Sequence, residues 1–352
     1  MINLLVESSV FKREEVLLTE YVPTMLPHRE TQIKEIARNL RPAASSRKPQ
    51  NTFLFGPPGI GKTAVVKHVF REFEEYSDHV RCVYINCWNF RTATALLTEL
   101  VIDLGFFVQR RGWSKDEIIG KLTEAINKCA KGMIICLDEV DQLDLSALYD
   151  LLRINQYVKA PVGIVFISNN PHVFAKAEPR IRSSLGVDEI EFKPYSLSEM
   201  KDILKERAKD AFNAFDPAAI ILCANHAVNK GGDVRVGLQC LLKAGRSAEQ
   251  ENAKKVSVKN AKAVLKAVKA TKPQILKERI NEHEKIVLQV LGSSKKWSAG
   301  KLYKKYCDTA EKDGIKPVSD RALREFVNHL WAIGLVRISE KKVGKSRLIW
   351  KS

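Results

Sequence analysis

The seven cysteines of this 352-residue chain (82, 87, 129, 136, 223, 240 and 307) form no CxxC pair. Neither they nor the seven histidines have the spacing of zinc ligands. A zinc fold is not indicated, and thiols within apolar runs such as IICLD read as small buried side chains in a reducing compartment. No stretch approaches the roughly 20 uninterrupted apolar residues that cross a bilayer. The opening MINLLVESSVFKREEV lacks the basic leader of a secretory signal, and charges follow its apolar start too soon. No apolar helix face rich in Trp or Phe suggests a membrane surface, and no internal repeat suggests a solenoid. The expected location is cytoplasmic, and no membrane partner is expected.

What is present is a globular composition, 45% hydrophobic with 28% charged residues, at a length suited to two or three domains. The net charge of +17 is concentrated: residues 1–250 carry 33 Lys and Arg against 31 Asp and Glu, and residues 251–352 carry 25 against 10. Confinement of the excess to the last hundred residues marks a polyanion-binding module, because neutralised phosphates release counterions.

Short apolar runs alternate with amphipathic helical stretches from NTFLFG to EIEFKPY. The predicted strands are NTFLFG, HVRCVYINC, GMIICLDE and VGIVFISN. The predicted helices span 29–40, 62–76 and 145–157, with two more between 88 and 132. This pattern predicts a parallel sheet covered on both faces. After about residue 193 strands stop, and helix follows helix to a Lys/Ala-rich stretch closed by Pro273.

GPPGIGKT matches the GxxxxGK[ST] phosphate loop between a strand and a helix. Its residues Gly56, Pro57, Pro58, Gly59, Ile60, Gly61, Lys62 and Thr63, with Ala64 behind them, are the candidate nucleotide cradle. The glycines let successive N–H groups face a phosphate chain at a positive helix end. Lys62 is suited to the β- and γ-phosphates and the Thr63 hydroxyl to Mg2+. About 75 residues on, GMIICLDEVD places Asp138 and Glu139 at a strand's C-terminal end. Asp138 suits the metal ion, and Glu139 suits the attacking water. Asn169, at the end of GIVFISNN, is either a sensor of the terminal phosphate or a turn residue.

Residues 281–352, with 16 basic against 8 acidic side chains, read as three helices and a hairpin, the order of a winged helix. On the third helix Leu323, Phe326, Val327 and Leu330 recur at helical spacing as the buried stripe. Arg321, Arg324 and Asn328 face the other way, with Ser319 as N-cap. Such a helix suits a major groove. The turn residues Lys341, Lys342, Lys345 and Arg347 suit phosphates and the minor groove.

The order of phosphate loop, acidic pair, sensor Asn and helical lid resembles the AAA+ superfamily. YVPTMLPHRE, YINCWNFRTAT, PRIRSSLGVDEIEFKPYSLSEM and GGDVRVGLQCLLKAGRSAE resemble the archaeal origin-recognition and cell-division-cycle initiator family, over about residues 18–350. The resemblance implies an α/β fold: an AAA+ P-loop parallel sheet with a helical lid, followed by an α+β winged-helix domain. The expected domains are 1–195, 196–273 and 274–352. It further implies adenine-pocket roles for Tyr21, Val22, Pro23 and the LPHR turn ending at Arg29, and nucleotide contacts from Tyr195 and Arg207. Arg235 matches the second sensor on the lid, and Arg180 falls in the arginine-finger region. FFVQRRGW, with Arg110 and Arg111, is either a DNA-touching insert or ordinary core and surface.

The family implies ATP/ADP and Mg2+ as cofactors and double-stranded origin DNA as partner. It also implies the replicative helicase (the minichromosome maintenance complex) and paralogous initiator subunits. The expected activity is weak ATP hydrolysis used as a switch on a nucleoid-associated protein. A continuously turning motor is disfavoured by the lack of a pore-loop signature, and an ATP-responsive transcription regulator of the same family stays open.

Overall fold

The computed structural model describes residues 10–109, 112–129, 131–270, 281–292, 296–332, 336–339 and 348–351. The chain divides into two compact units, Met1–Ala267 and Val268–Ser352. In the first, strands β1 (Asn51–Phe55), β2 (Val80–Asn86), β3 (Gly132–Asp138), β4 (Val162–Ser168) and β5 (Val187–Glu191) form one parallel sheet in the order β2-β3-β4-β1-β5. Every residue of β3 and β4 is buried, so neither strand shows polar alternation. The edge strand β5 instead exposes Asp188, Glu189 and Glu191, charges that discourage pairing with a further strand. Register sets the functional edge: Phe55 lies opposite Ser168, and Asn86 opposite Asp138, so the C-terminal ends of four strands come level.

Helices α1 (Glu30–Leu40), α2 (Lys62–Tyr76), α3 (Ala93–Asp103), α4 (Lys115–Cys129), α5 (Ala147–Arg153) and α6 (Pro179–Leu185) cover the sheet. Phe174, itself partly buried, packs on the core edge-on to Phe53 and Phe166 at 5.0 and 5.3 Å between ring centres. Two helices differ from the sequence reading. The first begins at Glu30, with Arg29 as its N-cap. The helix expected over 145–157 ends at Arg153 and continues as a 3-10 turn, Ile154–Gln156. There the Asn155 side chain bonds both backbone groups of Val162, at 2.7 and 2.9 Å, and so competes with helical bonding.

Four further helices follow: α7 (Leu197–Ala211), α8 (Pro217–Asn229), α9 (Val234–Gln250) and α10 (Val258–Ala270). The SLSE string starts α7 as a reciprocal capping box between Ser196 and Glu199, and Asp216 and Asp233 cap the next two. The chain's lead-in packs on this helical layer. Lys12 and Arg13 donate backbone bonds to the Ala211 carbonyl, and Phe11 meets Phe212 at 5.2 Å.

The second unit holds α11 (Glu282–Leu291), α12 (Ala299–Lys312) and α13 (Asp320–Ala332). Strands β6 (Trp297–Ser298), β7 (Val336–Ile338) and β8 (Leu348–Lys351) form an antiparallel sheet in the order β6-β8-β7. The two-residue β6 has no periodicity for a sequence reading to detect. Val287, Leu302, Tyr306, Leu323 and Leu330 form this unit's core. Cys87, Cys136, Cys223 and Cys240 are buried, Cys82 and Cys307 are half-buried, Cys129 is exposed, and all seven are free thiols. Among the described residues no helix is long and apolar enough to cross a membrane.

Candidate functional site

A cleft of about 730 Å³ opens where the C-terminal ends of β1, β3 and β4 face α7 and α9. Its floor is the phosphate loop. Gly56, at φ 143°, passes so close to the backbone after β5 that a Cβ would fall 2.2 Å from the Phe192 carbonyl. Lys62, 6% exposed, donates to the carbonyls of Gly56 and Pro57 at 2.7 Å each and to Asn169 Oδ1 at 2.9 Å. Burial pulls its ammonium down to about 8, against the opposing pull of Asp138 and Glu139.

Asp138 is 4% exposed, and its carboxylate is fully engaged. Oδ1 accepts from the Glu139 amide at 2.8 Å, while Oδ2 accepts from the Thr63 hydroxyl at 2.6 Å and the Tyr84 hydroxyl at 2.7 Å. Glu139 takes a left-handed backbone, φ 54°, which carries its carboxylate into the cleft. Burial, then the charges of Asp138 and Asp141, raises its pKa above the ordinary carboxylate value. Asn169 Nδ2 donates to Glu139 Oε2 at 3.2 Å, so Asn169 bridges the loop lysine and the carboxylate.

The opposite wall is helical. Arg235, on the first turn of α9, faces the cleft and pairs with Asp233. Arg207, on α7, donates to the carbonyls of Val16 and Tyr21 at 3.1 and 3.3 Å and lies over the Tyr21 ring. Tyr21, Pro23, Leu26 and Tyr195 line the same wall, as do Met25, Ile203 and Leu238, which sequence reasoning did not single out.

Not every candidate faces the cleft. Arg29 is buried beneath it, where Nη2 donates to the Ile60 carbonyl at 3.0 Å and the Lys193 carbonyl at 2.9 Å. Its guanidinium lies 3.8 Å from the centre of the Tyr195 ring. Burial lowers its pKa from the ordinary arginine value. Arg29 therefore stands as a fastener of the loop, and Val22, Gly56, Pro57 and Ile60 also lie outside the lining. Arg180 is exposed, paired with Glu178 at 2.6 Å and set over the Tyr149 ring, away from this chain's own cleft. Two more residues went unmarked, Asp233, which pairs with Arg235, and Tyr84, which donates to Asp138. Asp233 carried a legible signal, an Asp directly before a helical run. Tyr84, in mid-strand, carried none.

In the second unit Leu323, Val327 and Leu330 of α13 are buried, and Phe326 stacks on His283 at 5.7 Å. Arg321, Arg324 and Asn328 are exposed on the other face. Ser319 Oγ accepts from Ala322 N at 3.4 Å, and Arg324 donates to Asp320. Lys301, Lys304 and Lys305 of α12 add exposed charge that the motifs did not flag. Arg110, Arg111, Lys341, Lys342, Lys345 and Arg347 lie outside the described residues.

Comparison with known proteins bears on the whole chain. Residues 45–173 match an AAA domain, 201–266 a Cdc6 AAA+ ATPase-type lid domain, and 278–351 a CDC6 C-terminal winged helix domain. An ORC1-type DNA replication protein of Thermococcus kodakarensis is 34% identical, over 96% of this chain and 86% of its own length. Its counterpart in Archaeoglobus fulgidus is also 34% identical, over 98% and 88%. The structure of the Aeropyrum pernix ORC1 protein in complex with DNA superposes with a TM-score of 0.79 at 31% identity, covering 98% of this chain and 94% of that one. The chain belongs to the ORC1-type DNA replication proteins, the archaeal origin-recognition and cell-division-cycle initiator family of AAA+ ATPases with a winged-helix domain.

Proposed function

We propose that this chain is an ATP-switched replication initiator. It binds ATP or ADP in the cleft and origin duplex DNA through the winged helix, and helps bring the replicative helicase to the marked site. One observation carries the reading: Lys62, Glu139 and Asn169 from the sheet edge and Arg235 from the helical layer line one cleft. An adenine fits between Pro23, Leu26 and Leu238, and the phosphates fit the N-terminus of α2.

Thr63 and Asp138 offer hard oxygen donors within 2.6 Å of each other, a donor set that fits Mg2+. When bound, that ion neutralises charge on the phosphate oxygens. Tyr84 fixes the Asp138 carboxylate from the side. Glu139, with its raised pKa, accepts a proton from water, and Asn169 orients the Glu139 carboxylate. Arg235 reaches the terminal phosphate from the lid, so the presence of that phosphate governs lid closure. Arg180, exposed and turned from its own site, suits a neighbouring paralogue's nucleotide. Hydrolysis is slow and resets the switch.

For DNA, Arg321, Arg324 and Asn328 suit base edges, and the α12 lysines suit phosphates. The DNA complex of the Aeropyrum pernix relative supports this half of the reading. The test is a footprint on the organism's own DNA with ATP and with ADP, at stated salt. Protection at a replication origin that changes with the nucleotide is expected. Retained duplex affinity after removal of residues 281–352, or failure to hold either nucleotide, overturns it.

A further inference from the structure

Asp233 stands at the contact between helical layer and phosphate loop. Its Oδ1 accepts from the Arg235 amide at 2.9 Å and from Arg235 Nε at 3.0 Å, and its Oδ2 accepts from Arg235 Nη2 at 2.8 Å. One carboxylate therefore caps α9 and grips the guanidinium edge-on with two charge-assisted bonds. The same residue rests on the loop. The next amide, Val234 N, donates to the Gly59 carbonyl at 3.0 Å, and a Cβ on Gly59 would fall 1.9 Å from Asp233 Oδ1. Glycine is required there both for that approach and for its φ of 72°.

We propose that Asp233 is a competing anion for Arg235 and thereby sets how strongly the site prefers ATP over ADP. The inference rests on the reading of the cleft as a nucleotide site and of Arg235 as its terminal-phosphate contact. Two negative groups, the Asp233 carboxylate and a terminal phosphate, claim one guanidinium. ATP must draw Arg235 away from Asp233, whereas ADP leaves the pair intact. The carboxylate's grip therefore weakens ATP binding and not ADP binding. Its general repulsion of phosphates at the loop acts on both nucleotides, so the affinity ratio isolates the competition from the background field. Asp141 and Glu139 also stand near the loop, but neither bonds Arg235.

The experiment measures Kd for ATP and for ADP, each with Mg2+, on the full chain. The variants are Asp233→Asn, Asp233→Ser, Arg235→Ala and Asp233→Asn combined with Arg235→Ala. Asn and Ser both cap helices well, so α9 keeps its start while the charge is removed. The expected result is a rise of about two- to fivefold in the ATP-over-ADP preference in both Asp233 variants, the range an exposed ion pair supports. That rise should vanish in the Arg235→Ala background. A lower ATP preference in Arg235→Ala with none gained in the Asp233 variants overturns the competition and leaves the role of Arg235 standing. An unchanged preference in Arg235→Ala overturns both. Equal weakening of both nucleotides in the Asp233 variants, with a lower melting midpoint, makes Asp233 a cap only and overturns the proposal.

Discussion

Lys62 Nζ donates to Asn169 Oδ1 across 2.9 Å, joining residues 107 positions apart. The amide of Asn169 passes the link on to Glu139 at 3.2 Å. One side chain thus ties the phosphate loop to the candidate base. Asn169→Ala is predicted to slow single-turnover ATP hydrolysis on the order of tenfold to a hundredfold while nucleotide Kd changes by less than about threefold. Glu139→Gln should hold ATP yet cease to hydrolyse it. Wild-type turnover in either variant removes that residue from the reaction.

Nucleotide affinity should fall as pH climbs past 8. Burial has brought Lys62 down to about 8. Phosphates brought to the loop favour the charged form, so the bound state holds the proton to higher pH. Affinity is therefore at full strength below about 8 and weakens above it, approaching tenfold per pH unit. Calorimetry in two buffers of different ionisation heat should register proton uptake near pH 8.5. No uptake means Lys62 is already fully charged in the empty protein.

Arg29→Ala should destabilise the first unit by about 2–4 kcal/mol, because it leaves the buried carbonyl of Ile60 and the part-buried carbonyl of Lys193 without their charged donor. Arg29→Lys should restore little of this, since one ammonium cannot reproduce the planar stack on Tyr195. Denaturant midpoints give the loss. Folded variant in the cold should bind nucleotide within about threefold of wild type, because Arg29 lies outside the cleft. A large binding defect without a stability defect contradicts the fastening role.

Tyr84 gives a metal-linked prediction. Its hydroxyl and that of Thr63 share Asp138 Oδ2, so Tyr84→Phe leaves that oxygen to the Thr63 hydroxyl alone, with Oδ1 still held by the Glu139 amide. Nucleotide affinity measured against Mg2+ concentration should shift to higher metal by about three- to tenfold, with affinity in chelator unchanged. A shift that persists in chelator means that Tyr84 shapes the loop rather than the metal side.

Strands and motifs were legible because they obey local rules. GMIICLD and VGIVFIS are unbroken apolar runs, and the structure buries every one of their residues. GPPGIGKT is fixed by backbone geometry. What escaped was set by distant partners. Nothing near Tyr84 in the chain reveals that Asp138, 54 residues later, receives its hydroxyl. Arg29 matched a motif as a nucleotide residue, but the carbonyls it serves belong to Ile60 and Lys193, which only the folded chain brings to it. The lead-in gave no sign that Val10, Val16 and Leu17 are buried, because their cover comes largely from helices some 190 residues on.

Arg324 and the α12 lysines separate two kinds of DNA contact. Arg324 is held by Asp320 one turn earlier on α13, an exposed pair of small intrinsic worth that a guanine edge can displace. Arg324→Ala should weaken binding to the recognised duplex by about 1–3 kcal/mol and leave random duplex nearly untouched. Asp320→Asn should leave sequence preference in place, because it frees the guanidinium without altering its reach. Lys304→Ala should instead weaken all duplexes alike and lower the slope of log affinity against log salt by about one. Titrations of both duplexes from 50 to 200 mM salt, on the order used to resolve such slopes, decide between them. An equal loss on both duplexes for Arg324→Ala assigns that residue to a phosphate, and the base reading then passes to Arg321 and Asn328 on the same exposed face.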